Sequence, residues 1–230
     1  MDHDIELIVF DWDGTLMDSA SLIVECMQSA IGDLGLPSRG DTEIANIIGL
    51  GLKEAVAALF PECEDSDRAA LIGRYREYWL ARQHECPLFP GVRETLELLH
   101  DEGFLLAVAT GKSRAGLERS LQATGLERLF SSTRCADETA SKPDPRMLLE
   151  ILDELSVPAC ATILVGDTEY DLEMANRAGV PGVGVAYGVH GWERLAKHRP
   201  QAILERITTL PDWLAEQRAE CERPSVHCAG

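Results

Sequence analysis

The stretch LIVFDWDGTLMDS, residues 7–19, ends an apolar run with Asp11 and Asp13, followed at once by Gly14 and Thr15. Side chains at i and i+2 of a strand point to the same side, so both carboxylates face one small volume. Like charges held that close resist joint ionisation unless a cation sits between them. The plain alternative is an Asp-Gly turn closing a hairpin. A hairpin demands a second alternating strand, whereas LMDSASLIVECMQSAIGDLG follows here with helical apolar spacing. The pair is read as chemistry placed at a strand end.

Other polar residues stand in equivalent places. Thr110, Gly111 and Lys112 follow the apolar run 104–109, and Asp167 follows 161–166 with Asp171 just beyond it. Lys142 lies in SKPDP, after the run 130–135 and before a helical stretch. In open parallel sheets, ligands bind beyond the carboxyl ends of the strands. Clustered carboxylates suit Mg²⁺, which takes hard oxygen ligands and keeps waters for a phosphate. A hydroxyl, free backbone amides and a lysine suit a phosphoryl group. A carboxylate can also be the nucleophile, passing through an aspartyl-phosphate.

The elements that must position these groups alternate. Strands are expected at 6–10, 104–109, 130–135, 161–166 and 182–186, with helices near 91–101, 113–124, 145–155 and 170–178, and LPDWLAEQR as a last helix. Alternating units with mostly apolar strands predict an α/β fold, a doubly wound parallel sheet covered on both faces (a Rossmann-like core). Residues 17–83 break the rhythm with helical patterns only, at 18–34, 41–48, 52–59 and 65–83. That is too long for a loop and reads as a small α-helical cap domain over the end of the first strand. The expected division is therefore a discontinuous core of 1–16 and 84–215, a cap of 17–83 and a tail of 216–230. CPLFPGV, 86–92, is the expected hinge back into the sheet, and Asp144 before Pro145 is expected to cap a helix.

Composition narrows the class. The chain has 230 residues, 45% hydrophobic and 26% charged, as an ordinary globular protein does. Its formal net charge of −18 disfavours nucleic acid and anionic membranes as partners. An anionic substrate would need local cations to overcome that field. No apolar run approaches the ~20 residues of a membrane span, and the acidic start MDHDIE is not expected to be a secretory signal. The 7 cysteines contain no CxxC pair, which points to a reduced, cytoplasmic protein. TGKS, residues 110–113, imitates a phosphate-binding P-loop, but Leu106 stands where the first glycine belongs. GLGLKE, residues 49–54, begins like a dinucleotide fingerprint yet lacks its third glycine and follows a helix.

VFDWDGTLMDS, AVATGKS, SKPDP and LVGDTEYDLEMANRAGV resemble, in order and in position, the four motifs of the haloacid dehalogenase superfamily. Within it the chain is most similar to the phosphoglycolate phosphatase group, whose members carry an α-helical cap. The resemblance implies Asp11 as nucleophile and Asp13 as general acid and base, with Thr110 and Lys142 holding the phosphoryl group. It implies Mg²⁺ bound by Asp11, Asp167 and the backbone carbonyl of Asp13, with Asp171 acting through a metal-bound water. Gly111 and Lys112 are expected on the substrate, and Lys53 of the cap on an anionic part of the leaving group. The implied activity is hydrolysis of a small phosphorylated metabolite by a monomer or homodimer. A sugar-phosphate mutase or an inorganic pyrophosphatase on the same core is the alternative.

Overall fold

The structure is a computed structural model that describes residues 4–221. Six strands form one parallel sheet: β1 (Leu7–Phe10), β2 (Leu105–Thr110), β3 (Ser132–Cys135), β4 (Thr162–Gly166), β5 (Gly182–Val185) and β6 (Ala202–Leu204). Their order is β3-β2-β1-β4-β5-β6, which is the doubly wound arrangement. Winding reverses at β1, so β1 pairs with β2 on one side and β4 on the other. The crevice left at such a reversal opens at the carboxyl end of β1, where Asp11 stands.

The central strands β1, β2 and β4 are mostly apolar because both faces are covered, while the edge strand β3 is STRC. Ile8, Phe10, Leu106, Val108, Ile163 and Val165 enter one buried cluster, which also takes in α5 (Val92–Asp101), α6 (Arg114–Thr124) and α10 (Leu210–Cys221). Their neighbours Leu7, Val9, Ala107, Ala109 and Leu164 enter the other, beneath α7 (Arg146–Leu155) and α8 (Glu169–Ala178). The alternation follows from the two-residue period of a strand.

The insertion after β1 forms α1 (Ala20–Asp33), α2 (Asp41–Ala45), α3 (Leu52–Leu59) and α4 (Asp65–Arg82). These helices bury a cluster of their own, with Met27, Ile31, Ile44, Val56, Phe60 and Leu71 among its members. The entering and leaving chains are tied together. Met17 bridges Leu88, Asp18 N–H donates to the Pro87 carbonyl at 2.9 Å, and Phe89 N–H donates to the Leu16 carbonyl at 3.0 Å.

Several boundaries differ from expectation, for identifiable reasons. The helix expected at 41–48 ends at Ala45, because residues 46–51 leave it to touch the core. Gly49 makes that departure at φ +101°, a conformation open to glycine. β6 and the short α9 (Trp192–Ala196) were not expected. The first is three residues and the second a single turn, too short to carry a period. α10 continues to Cys221, past the expected start of the tail at 216, with no proline or glycine to stop it. The rest of the tail, 222–230, lies outside the described residues. α7 starts at Arg146 with Pro145 at the cap position, one residue later than expected, and the Asp144 carboxylate still accepts the Arg146 N–H at 2.9 Å. No helix among the described residues is long and apolar enough to cross a membrane.

Candidate active site

Four residues converge in a buried cluster beyond the strand ends. Asp11 follows β1, Asp167 follows β4, Asp171 sits in the first turn of α8, and Lys142 precedes α7; none is more than 2% exposed. One carboxylate oxygen from each of Asp11, Asp167 and Asp171 lies within 4.8 Å of the others. The Lys142 ammonium is 2.6 Å from an oxygen of Asp11 and 2.6 Å from one of Asp171. Its well-directed hydrogen bond goes to Asp171, and neither Asp11 oxygen receives an aligned donor.

Glycines make this crowding possible. Gly14 has φ +86°, and a Cβ there would lie 2.2 Å from Asp167 Oδ2. At Gly166 a Cβ would lie 2.4 Å from the Asp171 side chain. Asp167 is fixed by the Thr15 hydroxyl on Oδ1 and the Val189 N–H on Oδ2, both at 2.8 Å. Asp171 forms a capping box with Thr168, whose hydroxyl donates to Oδ2 at 2.6 Å. Asp171 thus caps α8 through Oδ2 and turns Oδ1 onto Lys142.

The electrostatics are those of a site short of cations. Burial lifts the Asp11 carboxyl well above the usual range, opposed by Lys142 and aided by Asp171 and Asp167. Burial and then Asp171 push Asp167 up to about 7, against the Val189 N–H and the Thr15 hydroxyl. Burial alone would lower Lys142, but Asp11 and Asp171 outweigh it and raise it above its ordinary value.

Asp13 lies apart from this cluster, at the edge of a cavity of about 680 Å³ that Asp11, Thr110 and Gly111 also line. Its oxygens accept from the Lys112 ammonium at 2.9 and 3.0 Å and from the Ser19 hydroxyl at 2.6 Å. Lys112, expected on the substrate, is therefore engaged by Asp13, and its ammonium also stands 4.6 Å above the Trp79 ring of α4. Burial among Trp79 and the strand ends leaves it few other partners. Thr110 closes β2 with its hydroxyl accepting the Lys112 N–H at 3.2 Å. Gly111 faces the insertion so closely that a Cβ there would meet the Leu50 carbonyl oxygen at 2.5 Å. Lys53 is exposed in the first turn of α3 and lines the cavity.

Sequence reasoning passed over Thr15, Ser19, Thr168, Val189 and Trp79. Thr15 and Ser19 lie inside the quoted first motif, so their hydroxyls were in view without an assigned partner. Val189 acts through its backbone, which leaves no residue-type signal. Trp79 reads from its spacing as helix core.

A doubly wound sheet with buried carboxylates and a lysine at its switch point, roofed by helices inserted after β1, defines a class of phosphoryl-transfer hydrolases. The model of the haloacid dehalogenase-like hydrolases matches residues 8–185, and the chain belongs to that family. The chain is 37% identical, over 89% of its length and 91% of the relative's, to the probable phosphatase IndB of Dickeya dadantii. It is 33% identical, over 92% and 94% of the two chains, to a plasmid-borne phosphoglycolate phosphatase of Cupriavidus necator. A crystal structure of a hydrolase from Pseudomonas syringae superposes with a TM-score of 0.85 at 25% identity, covering 93% of this chain and 99% of that one. The chain is an enzyme of the haloacid dehalogenase-like phosphatases.

Proposed function

We propose that this enzyme is a Mg²⁺-dependent phosphomonoester hydrolase acting on a small phosphorylated metabolite through a phosphoaspartate on Asp11. One observation carries the reading. Asp11 is buried where the cavity meets the carboxylate cluster, ion-paired through Oδ1 with Lys142 at 2.6 Å and with no partner on Oδ2. A buried carboxylate oxygen left without a partner costs roughly 1–3 kcal/mol unless a further cation engages it.

The donor set fits Mg²⁺. Asp11, Asp167 and Asp171 bring three negative charges when ionised and Lys142 returns one, so the deficit equals the charge of the ion. Asp11, Asp167 and the backbone carbonyl of Asp13 would hold it, with Asp171 behind a water. An ion held there would supply positive charge to the phosphoryl oxygens as two anions approach each other.

The protein's own groups do the rest. Lys142 and Thr110 hold the phosphoryl oxygens beside Asp11, and the Gly111 and Lys112 backbone approaches from the end of β2. An Asp11 oxygen attacks phosphorus; the bond to the leaving oxygen breaks, and that oxygen takes a proton from Asp13. Water then attacks the phosphoaspartate and gives its proton to Asp13, the Asp11–phosphorus bond breaks, and inorganic phosphate leaves. Ser19 and Lys112 keep the Asp13 carboxylate at the cavity edge between the two steps.

The test is phosphate release by the purified protein with Mg²⁺ and after chelation, with rapid acid quench and peptide mass spectrometry to locate the phosphoryl group. Label on Asp11, and its loss together with turnover in Asp11→Asn, is the expected result. Undiminished turnover after exhaustive chelation, or label elsewhere, refutes the proposal. Product analysis with a hexose phosphate and with pyrophosphate separates hydrolysis of monoesters from mutase and pyrophosphatase action.

A further inference from the structure

The insertion is seated on the core along one edge. Gly51 N–H donates to the Ser141 hydroxyl at 2.7 Å, and the Tyr170 hydroxyl donates to the Asn46 carbonyl at 2.9 Å. Arg194 donates to the Asn46 side chain. The loop carrying Gly49 and Leu50 lies against Gly111 with no room for a methyl group. With these contacts made, a cavity of about 680 Å³ still separates the insertion from the strand ends.

The phosphoryl end of a substrate is fixed at Asp11 and Thr110, so the remaining space belongs to the leaving group. That volume lies in the ~300–1,000 Å³ range of pockets that enclose drug-sized ligands. A two-carbon acid or a second phosphate would fill a small part of it. Its insertion-side wall carries an apolar stretch of Ile23, Met27, Ile47, Leu50, Trp79 and Leu80, beside Lys53, Glu54 and Arg76. Leu80 is 50% exposed on that wall, one of few large apolar side chains so exposed. Burying exposed apolar surface rewards a ligand that brings matching apolar area. Lys53, Arg76 and Arg119 also line the cavity, are exposed, and have no ion-pair partner among the described residues. On a chain of net charge −18 they collect the phosphate dianion, so the apolar wall is free to choose what the phosphate is attached to.

We infer that the substrate class is a phosphate monoester of an alcohol bearing an apolar, ring-sized body, which packs on the Leu80–Trp79 wall, rather than a two-carbon phosphate. The inference rests on the hydrolase reading above and names the leaving group for the same site.

The experiment compares kcat/KM, with saturating Mg²⁺, for 2-phenylethyl phosphate, ethyl phosphate, 2-phosphoglycolate and pyrophosphate. The first two alcohols leave with similar ease, so their ratio reports the contacts of the ring. A single methylene is worth roughly tenfold or more in an apolar pocket, so 2-phenylethyl phosphate should exceed each of the others by at least about tenfold. Leu80→Gln, a change at an exposed position that leaves the insertion's core intact, should narrow the ratio of phenylethyl to ethyl ester by about threefold or more. Phosphoglycolate or pyrophosphate turned over as well as or better than the phenylethyl ester overturns the inference and leaves the hydrolase reading standing. An unchanged ratio in folded Leu80→Gln overturns the assigned wall. No phosphate released from any ester overturns the hydrolase reading and this inference with it.

Discussion

The crowding of carboxylates around Asp167 makes stability depend on pH in a direction opposite to that of most acidic residues. Asp167 is fully buried, and burial together with the Asp171 carboxylate pushes its carboxyl up to about 7, from about 3.9 for a free aspartate. Between those values the native state holds the proton more tightly than the unfolded state, so folding stability falls as pH rises across that window. The penalty is absent below about pH 4 and complete above about pH 7. At 1.36 kcal/mol per pH unit, the gap amounts to roughly 4 kcal/mol. Mg²⁺ at the site should remove most of this by replacing the missing proton with a stronger cation, adding about 2.7 kcal/mol at one hundred times its dissociation constant. Urea unfolding at pH 5 and pH 8, with chelator and with saturating Mg²⁺, measures both effects. Metal-free protein should lose stability from pH 5 to pH 8, and Mg²⁺ should stabilise more at pH 8 than at pH 5. Asp167→Asn, which keeps the shape without the charge, should flatten the metal-free dependence. A metal-free protein equally stable at both values, or an Asp167→Asn variant with the wild-type slope, would show that the cluster does not hold an excess of negative charge.

Gly14→Ala should abolish activity and lower the melting temperature, since a Cβ there lies 2.2 Å from Asp167 Oδ2 and the backbone is at φ +86°; wild-type kcat in a folded variant would refute the packing. Gly111→Ala should push the Gly49–Leu50 loop off the core and raise KM by about tenfold with a smaller change in kcat; amide exchange in residues 46–51 checks it, and unchanged exchange argues against the apposition. Lys112→Met should lower kcat/KM by about tenfold, because Asp13 loses its ion pair and keeps only Ser19; steady-state kinetics at one pH suffices, and an unaltered value would mean Asp13 needs no holding.

Much of this protein is legible in its sequence. β1, β2 and β4 were readable because each is an apolar run that ends beside a polar residue, as burial on both faces requires, whereas β3 (STRC) and β5 (GVGV) were placed by the alternation with helices. Asp11, Asp13, Thr110, Lys142 and Asp167 stood out because strand ends are where a parallel sheet presents its chemistry. β6 and α9 were invisible, since three residues of AIL and five of WERLA fit many environments. Helix 41–48 was drawn too long because periodicity cannot register that Asn46 and Gly51 are drawn away to hydrogen-bond the core.

The residue types alone pointed to a phosphate and a divalent cation, the ligands of the proposed function, because hard oxygen donors, a hydroxyl and a lysine have few other joint uses. Only the tertiary structure decided how they divide the work. It set Lys142 between Asp11 and Asp171, turned Lys112 onto Asp13, and left Asp11 without an aligned donor. It also decided the size and apolar wall of the cavity, built from α1, α4 and the loop after α2. Contacts between segments so distant along the chain depend on how the insertion is seated over the strand ends, and local sequence carries no record of that distance.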